Sequence, residues 1–223
     1  MTLQPIRSGR IIGGLIILQM VGGYVVNFVL EAPLFGAPGF IVNAAPHAQQ
    51  IGLAALIGLA VEALWVSIAV TAFPFLKVRT PVIALLLIVL AGVVLAVAAA
   101  ECAGVMSMVS VSEEYVKASD VERMQLQAMH VIVASARNWT HFTARLLDGI
   151  TIFVLYAGLF QLVLVPRLIA GFGLVAVVLM IVGITMPFFG NDVVFPLLAP
   201  LGLSQLLLSV WLLVKGFREQ PMP

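Results

Sequence analysis

Charge is what this chain has least of. Only 9% of its 223 residues are Asp, Glu, Lys or Arg, whereas a soluble globular protein carries about 25%. With 62% hydrophobic residues, the composition fits a chain whose solvent is mostly lipid. Net charge is also nearly absent, at +1, which excludes a basic field for nucleic acid and an acidic tail. A single cysteine, Cys102, excludes an intrachain disulfide and a thiolate metal cage. The three histidines, His47, His130 and His141, form no HExxH or HxxxH pattern. His130 and His141 lie ~16 Å apart along a straight helix, too far to share a metal held at ~2 Å. Cys102, Met106, Met108, Met124 and Met129 are soft ligands for Cu(I) in principle, but methionine in an apolar helix is mainly packing. No GxSxG elbow occurs. No metal, no cofactor and no nucleophilic motif is expected.

What the chain does have is long apolar runs. Six of them, roughly 11–32, 51–74, 81–107, 142–165, 168–188 and 194–215, are each long enough to cross a ~30 Å hydrocarbon core. The first follows Arg7 and Arg10 and has about 20 residues, longer than a signal h-region of ~7–15, so it is expected to be a retained span. Pro33 and Gly36-Ala37-Pro38-Gly39 end the first run; Lys77, Arg79 and Pro81 separate the second from the third. Val165-Pro166-Arg167 makes a short hinge, because proline disfavours helix at the residue before it. The expectation is one all-α transmembrane domain over residues 1–223, a six-helix bundle in contact with the lipid bilayer.

The basic residues set its orientation. Arg7, Arg10, Lys77, Arg79, Arg167, Lys215 and Arg218 fall on one side. On the other, Lys117 and Arg123 are diluted by Glu113, Glu114, Asp120 and Glu122. The positive-inside rule then places both termini in the cytoplasm of an inner membrane. Ser119-Asp120-Val121-Glu122 reads as a capping box. It opens a proline-free stretch of ~45 residues, ~67 Å as helix and twice the membrane core. An amphipathic outer helix over about 120–138, bending near Asn138-Trp139-Thr140 into the fourth span, resolves that excess.

Against this background Glu62, Glu101, Arg145 and Asp148 stand out, because a charge at bilayer depth costs at least ~2.5 kcal/mol. Glu101, Arg145 and Asp148 fall in the outer half of the membrane and Glu62 near the middle. Glu31, His47, His141 and Asp192 come near the outer mouth, with Glu31 read as interfacial. At ~100° per residue, His130, Arg137, His141 and Asp148 lie within ~20° of one line, with Arg145 flanking. Glu62 or Glu101 has the chemistry to pair with Arg145 from a facing helix, and Asp148 to pair with it three residues away on the same helix. The expected site is therefore an outward-facing polar pocket. Glu62 and Glu101 serve as its carboxylates, Arg145 as counter-ion or anion clamp, and Asp148, His141 and Arg137 as the entry stripe.

Three stretches carry a family resemblance. Arg10-Ile11-Ile12-Gly13-Gly14-Leu15 opens the first span, Leu164-Val165-Pro166-Arg167-Leu168-Ile169-Ala170-Gly171-Phe172-Gly173-Leu174 forms the hinge, and Leu208-Ser209-Val210-Trp211-Leu212-Leu213-Val214-Lys215-Gly216-Phe217 closes the last span. In order and spacing they resemble a bacterial membrane family catalogued as domain of unknown function 4386. The central Ser110–Arg123 segment departs most from it. The resemblance implies a six-span inner-membrane protein and brings no catalytic residues. The leading expectation is binding or passage of a small amphipathic or ionic ligand, a small molecule or a lipid. Two alternatives stay open: an intramembrane enzyme using Glu62 or Asp148 as acid or base, and a structural protein whose buried charges only pair helices.

Overall fold

Hydrocarbon offers no water to a free amide or carbonyl, so a chain this apolar has to satisfy its backbone within each segment, and helix is the solution it adopts. The computed structural model describes residues 4–218. Its main helices are α1 (Pro5–Tyr24), the short α2 (Ala32–Phe35) and α3 (Phe40–Asn43), then α4 (Ala48–Leu76), α5 (Pro81–Lys117), α6 (Asp120–Gln161), α7 (Arg167–Thr185) and α8 (Ala199–Lys215). A π-helix, Val25–Leu30, prolongs α1. Six helical stretches are long and apolar enough to cross a membrane, matching the six runs in the sequence.

The boundaries differ in two places. α5 continues to Lys117, ten residues past the expected end, so the polar Ser110–Arg123 segment is helix except for Ala118 and Ser119. α6 is unbroken through Asn138-Trp139-Thr140, where a bend was expected. Thr140 and Thr143 there turn their hydroxyls back onto the carbonyls of Ala136 (2.9 Å) and Trp139 (2.8 Å), so the polar side chains are absorbed by the helix itself. The Ser119 amide donates to Glu122 Oε2 (2.8 Å), the backward half of the expected capping box. The Ser119 hydroxyl also goes to that carboxylate, at 2.7 Å.

The chain divides into two compact units. One takes residues 1–20, 63–95 and 145–223, the other 21–62 and 96–144. In the first, α7 and α8 pack side by side, and Tyr156, fully buried, shares a hydrogen bond with Ser204 (3.2 Å). Gly173 is what lets α7 come so close: a Cβ there would fall on the Tyr156 ring. α6 ends at Gln161, Val163 adopts a left-handed φ of 53°, and Pro166 starts α7. Gly216, at φ 69° and lying against Ile6, ends α8 where a side chain would clash.

The second unit is organised by the folded segment between α1 and α4. Leu34, Phe40 and Ala44 from that segment pack on Ile51 and Ala55 of α4 and on Val105, Met108 and Val109 of α5. Ser112, fully buried on α5, fastens it by accepting from the Ala45 amide (2.8 Å) and donating to the Ile41 carbonyl (2.9 Å). Gln50 of α4 donates to the carbonyls of Leu30 (3.0 Å) and Val29 (3.3 Å), groups that the end of the π-helix leaves open.

Candidate functional site

The π-helix sets up the site. Its wide turn closes with the Glu31 amide on the Val26 carbonyl (2.9 Å), and Glu31 follows directly after it. Such turns insert one extra residue into a helix and often occur at functional sites. Here the result is a carboxylate directed into the second unit, where Glu31 is only 4% exposed.

Arg137 meets it from α6. Its Nη2 donates to Glu31 Oε2 at 2.7 Å and lies 3.3 Å from Glu101 Oε1, which comes from α5. His141, one turn further along α6, donates from Nδ1 to the same Glu101 oxygen at 2.7 Å. Phe35 of α2 lays its ring 5.0 Å from the Arg137 guanidinium carbon, within cation–π range. Gly104, one turn beyond Glu101, makes room: a Cβ there would sit 3.4 Å from that of Arg137. Charges removed from water to this degree persist only when paired and hydrogen-bonded. Arg137, at 4% exposure, is held by two carboxylates, yet its Nε is buried without a hydrogen-bond partner.

Of the expected site residues, Glu101, Arg137 and His141 come together. Arg145 pairs with Asp148 of its own helix at 3.0 Å, in the other unit. Glu62 is buried on α4 at 8% exposure. Glu31 is a correction: read as interfacial, it is buried and ion-paired. Its sequence signal was weak, an acid at the end of an apolar run just before Pro33. The helical line through His130, Arg137 and His141 is realised, since all three meet partners within the second unit; the His130 ring lies 5.9 Å from that of Phe40. Among the described residues no group of three His, Cys, Asp or Glu is placed to hold a metal ion.

Six apolar helices and a buried network of ionisable groups define a multi-pass membrane protein. More particularly, the chain belongs to the family described as a domain of unknown function, DUF4386, whose model matches residues 11–216. No curated protein and no solved structure matches it.

Proposed function

We propose that this is an inner-membrane protein with both termini in the cytoplasm, and that Glu31, Glu101, Arg137 and His141 form an outward-facing intramembrane site that binds or passes a small amphipathic ligand. The observation that carries this reading is the unmet Nε of Arg137. A network that only fixed helices in register has no use for a buried donor without an acceptor, which costs about 1–3 kcal/mol. An acceptor oxygen on a ligand is the complement of that donor. With His141 neutral, the two carboxylates and one guanidinium leave a surplus of one negative charge, which favours a ligand that also carries a positive group. The α1–α4 segment supplies apolar walls through Leu34 and Phe35. Ligand passage, an enzymatic role for Glu62 or Asp148, and Arg145 as a second clamp are further steps that this site alone does not require.

Native mass spectrometry of the detergent-purified protein tests the proposal, with Arg137→Lys as the comparison. Lys keeps the charge but has no Nε donor beside the guanidinium fork. A small zwitterionic or cationic amphiphile is expected to copurify at one per chain with the wild type and to be lost, at least about tenfold, from the variant. A wild-type protein that carries nothing beyond detergent, across preparations from native membranes, sinks the ligand reading and leaves a structural ion network.

A further inference from the structure

Phe217 draws four separate stretches of the first unit to one place. Its side chain is 1% exposed and packs edge-on against Phe75, with ring centroids 5.3 Å apart. Its amide donates to the Pro5 carbonyl (3.3 Å), and the next amide, of Arg218, donates to the Leu164 carbonyl (2.8 Å). The start of α1, the end of α8, the α4–α5 turn and the α6–α7 turn therefore converge.

Every one of these stretches brings exposed cations. Arg7 and Arg10 come with α1, and Lys215 and Arg218 with the end of α8. Lys77 and Arg79 come with one turn, Arg167 with the other. Among the described residues of this unit the acidic side chains are Asp148, within α6 on Arg145, and Asp192, in the turn at the far end of α7 and α8. Three of the cations stand over aromatic rings: Lys77 over Phe73 (5.7 Å), Arg167 over Phe160 (5.9 Å) and Arg218 over Trp211 (5.7 Å). Rings position a cation without cancelling its charge.

A second pattern runs through the same stretches. Each sets an exposed apolar side chain directly beside a cation: Ile6 beside Arg7, Val78 between Lys77 and Arg79, Leu168 beside Arg167, Val214 beside Lys215. Leu168 is 88% exposed. Topological charge bias requires basic residues on one side of the membrane, but it requires neither their convergence nor an apolar neighbour for each. A phosphate layer resting on hydrocarbon requires both.

We propose that this collar is a binding surface for anionic phospholipids of the membrane. Its guanidinium and ammonium groups take the phosphodiester oxygens, and the neighbouring apolar side chains take the first methylenes of the acyl chains. This is independent of the Arg137 site, since it uses none of its residues.

The test uses the full chain in a neutral detergent, with added phosphatidylglycerol, phosphatidylcholine or inorganic phosphate, read by native mass spectrometry and thermal unfolding. Phosphatidylglycerol is expected to be retained and to raise the melting temperature, while phosphatidylcholine and inorganic phosphate do neither. Raising salt from about 0.05 to about 0.5 M should weaken retention at least about tenfold. Arg7→Gln, Arg10→Gln, Lys77→Gln and Arg79→Gln combined should do the same, while Arg7→Lys, Arg10→Lys and Arg79→Lys combined should keep it. Should the neutralised variant fail to fold, the salt series on the wild type decides. Equal retention of the two lipids, an anionic preference indifferent to salt, or inorganic phosphate binding as well as the lipid would each overturn the proposal.

Discussion

Arg137 concentrates an unusual burden on one side chain: a single Nη2 serves two carboxylates from different helices while a ring stacks on its face. Removing it strands Glu31 and Glu101 in a place that water does not reach. Arg137→Met is expected to destabilise the protein by about 3–5 kcal/mol, the usual cost of breaking a buried pair from one side. Adding Glu31→Gln and Glu101→Gln should recover most of that loss, because neutral amides carry no uncompensated charge. Denaturant unfolding of the single and triple variants in detergent checks this. A triple variant as unstable as the sum of its parts would refute the coupling. At this scale the sequence showed Arg137, His141 and Glu101 by helical spacing and by depth within an apolar run. It concealed Glu31, because the π-helix that redirects it comes from tertiary contacts such as Gln50 on Leu30 and Val29, and no local spacing encodes those.

The helices themselves follow the apolar runs closely, since length and hydrophobicity alone decide what can cross a bilayer. Their ends do not. α5 outruns its apolar run because Ser112, polar in the sequence, is used inward as a clamp for the Ile41–Ala45 backbone. The bend expected in α6 rested on treating helix length as a conflict with membrane thickness, but a helix is free to project beyond the lipid, and α6 stays continuous. Packing between helices was legible only as a scatter of small residues. The structure separates those that matter: a Cβ at Gly173 meets the Tyr156 ring, whereas one at Gly14 meets nothing within 4 Å. Gly173→Ala should therefore cost about 1–3 kcal/mol. Gly14→Ala should be neutral or stabilise α1 by up to ~1 kcal/mol. Thermal unfolding of the two variants side by side decides it, and equal melting temperatures would discredit the α7–Tyr156 contact.

For the whole molecule, an even number of spans puts the α5–α6 and α7–α8 connections on the face opposite the termini. In a Cys102→Ala background, Ser119→Cys and Asn191→Cys should react with a membrane-impermeant thiol reagent applied to intact cells. Val78→Cys should react only after permeabilisation. The reverse pattern would invert the topology and with it the side from which the Arg137 site opens.

The wide turn at Val25–Leu30 makes the first span sensitive to counting more than to chemistry. Swapping one aliphatic for another there leaves the winding intact. Deleting any single residue of the six would restore regular winding and swing all that follows by ~100°. Glu31 would then point away from Arg137. Relatives that dispensed with this carboxylate's role would be recognisable by a one-residue gap, even where every neighbouring letter is retained.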